Sequence, residues 1–442
     1  MTQRPDILDS ILVAGFLIGI YLSLEVSLGA GVPIPALSAA AASGLLLLRH
    51  MSWIEERHLT ALLLVLLLYL LSIFFAPDYA FFTERLKGFV QLAYSLVAGY
   101  GFFIVATRYD RAALARIFLI LCLLILAGAA LENYTAFKAV SDSFREHFYD
   151  FGVYASDKRD ELLYGMIRPK FFTSEPSYLT FGFSFLLFGW YGLSTAKLRL
   201  PLALAFLAAA YFLMRGPTLL LVLPLIAACE LLLNARKAEG AGSASMRLVA
   251  LPALALFLLG VGLWAGASLF EERLDAVLLG SDPSFFYREI GPALTATATI
   301  ARHPFTGIGL TGEEYLGNDI VAIYMSSPAF SPDWATDDVA HIITNYFWSH
   351  WIYFGLGWGL VLVAAFSWFL KRLDVPSVTF CWVAWIVFGQ SMGAYVSPRT
   401  WSVMFLASVI AVLSKQQPVG RRQGADAPQM RGTGWTACEA TT

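Results

Sequence analysis

Several charged side chains stand at the borders of long apolar runs, and each is of a type that does chemistry. Arg215 lies in Met214-Arg215-Gly216-Pro217, between two apolar runs that leave almost no loop. A guanidinium at that depth needs an anionic partner, or it snorkels to the interface. Glu175, in Ser174-Glu175-Pro176-Ser177-Tyr178, precedes a proline suited to a first helical turn. A carboxylate there either offsets the helix dipole or pairs with a nearby arginine. Arg288 follows Phe285-Phe286-Tyr287 and precedes Glu289. With Tyr287 beside it, this arginine suits a phosphate-bearing lipid or a sugar; a bridge to Glu289 or an interfacial anchor is the alternative. His341 and His350 flank Thr344-Asn345-Tyr346-Phe347. Histidine is well matched to general-base work near neutral pH, and equally able to serve as an interhelical hydrogen bonder. Arg168 and Lys170 add two cations just ahead of Glu175.

The scaffold that positions these residues is embedded in lipid. Of the 442 residues, 58% are hydrophobic and 14% charged, and the mean hydropathy is +0.65. Soluble domains run at roughly 45–50% and about 25%. A soluble enzyme, a disordered chain and a nucleic-acid binder are excluded, and a net charge of −2 exerts no pull on polyanions. Cys122, Cys229, Cys381 and Cys438 are too scattered for a disulfide framework or a metal cluster. The apolar runs exceed the strands of a barrel, so the spans are helices. Twelve are expected, near 7–26, 33–49, 59–76, 86–106, 113–131, 176–194, 199–214, 217–234, 248–269, 342–369, 376–395 and 399–414. The first is read as an uncleaved helix, its apolar run being longer than that of a signal peptide.

Lysine and arginine concentrate on alternate loops, among them Arg49, Arg57, Arg108, Arg111, Arg116, Lys371 and Arg372. By the positive-inside rule both ends are cytoplasmic. The organisation is then helices over 1–131, an outer loop at 132–175 and helices over 176–269. A large outer loop at 270–341 follows, then helices over 342–414 and an unstructured tail at 415–442. The two outer loops hold more than half of the 32 acidic residues, so any chemistry lies on the outer face. Ile290–Ile300 and Ile320–Met325 are too short to span and read as helices on the membrane surface. Asp333, Asp337 and Asp338 lack a second ligand set at fixed spacing, so no metal site is expected.

These stretches, in this order, resemble the bacterial O-antigen polymerase and O-antigen ligase superfamily. The likeness is carried by Ser174-Glu175-Pro176-Ser177-Tyr178, by Arg215-Gly216 and by Arg302-His303-Pro304-Phe305-Thr306-Gly307-Ile308-Gly309. Thr344-Asn345-Tyr346-Phe347 with Gly355-Leu356-Gly357 completes it. It covers roughly residues 165–395; the first five helices add only topology. The resemblance implies an all-α polytopic fold of glycosyltransferase type (GT-C-like), in the bacterial inner membrane with a periplasmic site. It implies undecaprenyl-pyrophosphate-linked glycans as donor and acceptor, a chain-length regulator as a further partner, and no cofactor. The acceptor hydroxyl would attack the anomeric carbon with inversion. His341 would be the base, with Glu175 as its competitor or orienting partner. Arg215 and Arg288 would bind pyrophosphate, and Arg168, Lys170, Tyr287 and Asn345 substrate. In ligases a histidine directly precedes the asparagine; here Thr344 stands there, which favours polymerase over ligase. A transporter of lipid-linked sugars, the reading from a different class, would show internal repeats and charges near helix centres, and neither is seen.

Overall fold

The computed structural model describes residues 6–28, 32–149, 157–234, 282–328 and 342–415, with isolated positions at 260, 275 and 279–280. The chain is overwhelmingly helical. Helices α1 (Ile7–Leu22), α2 (Leu37–Arg49), α3 (Glu56–Phe74), α4 (Phe82–Ala106) and α5 (Arg111–Tyr134) fill the first expected unit. Between α1 and α2 lies a short antiparallel strand pair, Val26–Leu28 with Val32–Ile34, where an all-helical reading had connector and the start of the second span. Its β-branched residues favour that local departure. The segment expected as the first outer loop contains α6 (Phe137–Phe148) and α7 (Asp157–Tyr164). Then come α8 (Pro176–Leu193), α9 (Arg199–Met214) and α10 (Val222–Ala228), the last between a 3₁₀ turn at Pro217–Leu221 and a π turn at Cys229–Asn234. The ninth expected span, at 248–269, lies outside the described residues apart from position 260. Helices α11 (Gly291–Arg302) and α12 (Gly317–Met325) cover the stretches read as too short to span. The chain ends in α13 (Tyr346–Arg372), α14 (Val378–Gly389) and α15 (Pro398–Lys415).

Among the described residues, four helices are long and apolar enough to cross a bilayer: α3, α4, α5 and α13. At about 1.5 Å per residue, 16-residue helices such as α1 and α9 reach ~24 Å, short of a ~30 Å hydrocarbon core. A helical membrane protein is what the fold supports; twelve full spans is a finer count than these lengths carry. Helices α8 and α15 are buried on nearly every face, as expected of helices that are apolar all round. They form the centre, with α4 and α14 packed on α15 and α5 packed on α8.

The glycine motifs singled out in the sequence build a joint. Gly307 can carry no side chain, because a Cβ there would lie 2.5 Å from the backbone of Tyr353 and Gly355. Gly355 breaks α13 with φ 59° and ψ −168°. Across that break Ile308 N donates to Ile352 O (3.2 Å) and Gly309 N to Tyr353 O (2.8 Å), while Leu356 N donates to Pro304 O (2.7 Å). Arg85, expected in an outer loop, is instead fully buried in α4. It donates to Ile308 O (3.1 Å) and Asp78 O (2.6 Å) and pairs with the Asp78 carboxylate (3.0 Å). The buried guanidinium thus locks the Gly307–Gly309 turn to the membrane helices.

Gly307 has φ +59°, and Gly44, in α2, has no atom within 4 Å of a built Cβ. Gly307→Ala should therefore cost about 2–4 kcal/mol from left-handed strain plus overpacking. Gly44→Ala should be neutral or slightly stabilising. Unfolding midpoints of the two variants in detergent check this, and equal midpoints would refute the joint.

Candidate active site

The site begins with a turn that defies local preference. Phe171 and Phe172 have φ of 35° and 65°, a conformation that bulky residues adopt only when their surroundings impose it. What imposes it is Glu132, 4% exposed, at the end of α5. Its carboxylate accepts from Lys170 N (2.9 Å) and Phe171 N (2.5 Å). Ser141 Oγ accepts from Phe172 N (3.1 Å). The turn's carbonyls are held as well, Phe171 O by Tyr21 (2.6 Å), Phe172 O by Tyr149 (2.9 Å) and Ser174 O by Arg145 (3.1 Å). Under this cradle Arg399, 4% exposed, caps the end of α1 through Ile20 O (3.2 Å) and Tyr21 O (3.1 Å) and lies 4.3 Å from the Tyr178 ring. A chain so pinned delivers Glu175 to the N-terminus of α8, with Pro176 in the first turn.

Glu175 lines a cavity of about 400 Å³, within the ~300–1,000 Å³ range of small-molecule sites. Its walls come from sequence-distant pieces: Tyr164 and Arg168, the start of α8, Gly216–Thr218, Tyr287–Glu289, Thr344 and Gln390. The 287–289 wall is a π turn, Phe286–Ile290, a geometry often found at functional sites. The start of α13 holds it. Thr344 Oγ1 donates to Tyr287 O (2.9 Å) and Asn345 Nδ2 to Arg288 O (2.8 Å), while Asn345 Oδ1 caps α13.

The structure thus brings together Glu175, Arg288, Arg168 and Tyr287 from the sequence-derived set. Arg168 pairs with Asp160 (2.8 Å) and lies 4.1 Å from the Tyr164 ring. Arg288 and Glu175 have no side-chain hydrogen bond or ion pair with a described residue. Other members stand behind the walls. Arg215, left-handed at the end of α9, donates to the Tyr164 carbonyl next to the lining residues Gly216 and Pro217. Lys170 is buried on Asp157 (2.7 Å). Burial raises the Asp157 carboxyl, but hydrogen bonds from Lys138 and Lys170 outweigh it and hold the group below its ordinary value. Asn345 is fully buried, its amide shared with Gln390 (3.2 Å). His350 is buried deeper, with Nε2 on Gly359 O (3.1 Å) and Nδ1 on the Tyr395 hydroxyl (3.0 Å). The carbonyl fixes Nε2 as donor, so Nδ1 accepts; His350 is a buried hydrogen bonder that ties the two parts of α13 and the α14–α15 connection together. His341 lies outside the described residues, as do Asp333, Asp337 and Asp338.

Sequence reasoning overlooked Glu289 as anything but a partner of Arg288. The carboxyl lines the cavity with no ion pair among the described residues. Burial pushes it up to about 7, against the opposing pull of Arg288. Gln390, Ser391, Thr180 and Tyr164 also line the cavity and carried no sequence signal, because neutral residues do not stand out at the border of an apolar run or beside a charged one.

A family model described as WcaD colanic acid polymerase matches residues 8–412, almost the whole chain. No curated protein matches it.

Glu132→Ala leaves the Lys170 and Phe171 amides buried and unpaired, at about 1–3 kcal/mol each. The variant should unfold earlier in detergent and lose hydrogen-exchange protection at residues 170–175, while Glu132→Gln, which keeps one acceptor, should lose less. Unchanged exchange there would remove Glu132 as the pin.

Proposed function

Because the chain belongs to the WcaD colanic acid polymerase family, we propose that it joins lipid-linked oligosaccharide repeat units. A glycan passes from a polyisoprenyl-pyrophosphate carrier to a sugar hydroxyl of another lipid-linked unit, with inversion, at the periplasmic face of the inner membrane. The observation that carries this reading is Arg288, a guanidinium in a cavity wall with no anion of a described residue bound to it. A cation left uncompensated beside apolar and aromatic groups is unfavourable unless a ligand supplies the negative charge. A pyrophosphate does so, and its charge grows as the glycosidic bond breaks, so arginine contacts strengthen toward the transition state.

In this reading Arg288 and Arg168 take the pyrophosphate, with Arg215 adding positive potential behind Tyr164. Tyr287 offers a face for a sugar ring, and Glu175 approaches the acceptor's hydroxyl. His341, three positions ahead of the lining residue Thr344, and Glu175 are the residues that the superfamily resemblance offers as base. The family match favours the polymerase side of that resemblance over the ligase side.

Arg288→Ala should lower polymer formation about 10²–10³-fold at unchanged protein level, the usual cost of one transition-state charge contact. Arg288→Lys should recover little of it, because lysine lacks the two-pronged fork. Polymer assays in a strain lacking the native gene read both; near-normal polymer in the alanine variant would remove Arg288 from the site. The outer placement is checked separately. A cysteine at Glu161, exposed on α7, should be labelled from outside intact spheroplasts. Labelling only after lysis would overturn the periplasmic assignment.

A further inference from the structure

The cavity holds a carboxylate that neither the sequence nor the resemblance assigns. Glu289 sits in the π turn directly after Arg288, lines the cavity, and is partly buried. Its side chain makes no hydrogen bond or ion pair with a described residue, although Arg288 is its neighbour in sequence. Three acidic residues of the neighbouring segments are partnered: Glu132 by two amides, Asp157 by two lysines, Asp160 by Arg168. Glu175 shares the cavity, but it abuts the N-terminus of α8, whose dipole complements negative charge. Glu289 has no such complement. Its mounting is rigid, because the carbonyls of Tyr287 and Arg288 are held by Thr344 (2.9 Å) and Asn345 (2.8 Å).

We infer that Glu289 is the general base of the polymerisation step. This rests on the repeat-unit polymerase reading above. The Glu289 carboxylate takes the proton of the acceptor hydroxyl as that oxygen bonds to the donor's anomeric carbon. The carbon–oxygen bond to pyrophosphate breaks, and its electron pair leaves with the polyisoprenyl pyrophosphate. The base and the pyrophosphate-binding cation are then consecutive residues of one turn, so the geometry that receives the leaving group also sets the attack. The group's affinity for a proton suits the work: burial brings it to about 7, where a base is mostly ready yet strong enough to matter. The charged and titratable described residues that line the cavity with it are Arg288 and Tyr287 on its own turn, Tyr164 and Arg168 across the cavity, and Glu175 at the start of α8. Tyr324 of α12 packs on the Tyr287 ring behind it, 5.0 Å between centroids. Arg168 is engaged by Asp160 and Tyr164, which leaves Arg288 as the unpaired cation among the described lining residues.

The test uses the purified full chain in lipid nanodiscs with a synthetic pyrophosphate-linked repeat unit as donor and acceptor. Initial rates of polymer formation are followed across about pH 5–9 for the native chain, Glu289→Gln, Glu289→Asp, Glu175→Gln and His341→Ala. The native rate should rise with pH through a limb near 7, since the carboxylate must be free to accept. Glu289→Gln should lose about 10²–10⁴-fold in rate and the limb with it, with retention of the lipid-linked unit within about threefold of native. Glu289→Asp should recover part of the rate, and the limb should persist in whatever activity Glu175→Gln and His341→Ala retain. A Glu289→Gln chain near native rate, or one that keeps the limb while another variant loses it, overturns the assignment. Parallel loss of binding and rate in Glu289→Gln also overturns it, making Glu289 a structural residue. A native chain that binds the lipid-linked unit and forms no polymer fails the polymerase reading, and this assignment falls with it. The Glu289 outcomes are read against an active native chain and so fail separately.

Discussion

One buried carboxylate sets the geometry on which the cavity depends. Glu132 ends a long apolar helix and meets two backbone N–H groups of a turn whose phenylalanines stand in the left-handed region. Neither half of that arrangement is favourable alone. A buried carboxylate without donors carries a desolvation cost of several kcal/mol, and a left-handed bulky residue costs about 1–3 kcal/mol. Together each removes the other's penalty, because the strained turn is the conformation that presents consecutive amides to one carboxylate. Once the turn is fixed, Glu175 and the first turn of α8 have nowhere else to go. Tyr21, Tyr149, Arg145 and Arg399 then fasten it to α1 and α6, which makes the first helices part of the site's foundation although none of them lines the cavity.

The opposite wall is mounted by a different device with the same logic. Asn345 is fully buried and spends its whole amide on the protein: its oxygen caps α13, and its nitrogen holds Arg288 O and Gln390. A helix start is thereby coupled to a loop residue 57 positions earlier in sequence. The same helix is broken at Gly355 so that the Gly307–Gly309 turn can lie against its backbone. Two motifs that are unremarkable apart become one joint. The wall bearing Arg288 is therefore placed by α13 at its start and steadied by Arg85 from α4 near the joint.

How much of this could be read beforehand depended on whether the signal was local. Most helices were legible, because long apolar runs have few other options in lipid. Charges at the ends of those runs were legible as odd, and Glu175, Arg168, Tyr287 and Arg288 do share a cavity. Their division of labour was not. Lys170 and Arg215 have the same residue types and borders as the cavity residues, yet turn to Asp157 and to a carbonyl of Tyr164. Only the fold of the intervening loop decides which way they point. Glu289 was misread for the opposite reason: adjacency to Arg288 suggested a bridge, but neighbours in sequence on a helical turn do not face one another. The strained phenylalanines leave no trace in composition, since long-range contacts impose them.

The pattern of pairing separates scaffold from site more sharply than residue type does. Arg85, Arg145, Arg399, Lys170, Asp160 and Glu132 are deeply buried charges among the described residues, and every one is bound by carbonyls, amides or an opposite charge. That is the expected price of keeping a charge out of water. In the cavity the rule is suspended for Arg288, Glu175 and Glu289, which face the open space with no described partner. Beyond the α8 dipole at Glu175 and the pull of Arg288 on Glu289, no described group meets their charge, so it stays available to whatever enters. A ligand that brings a phosphate to the arginine and hydroxyls to the carboxylates completes what folding left open. In the proposed reading, binding energy then appears where the bond is to be made and broken, and a neutral lipid gains nothing from the same contacts.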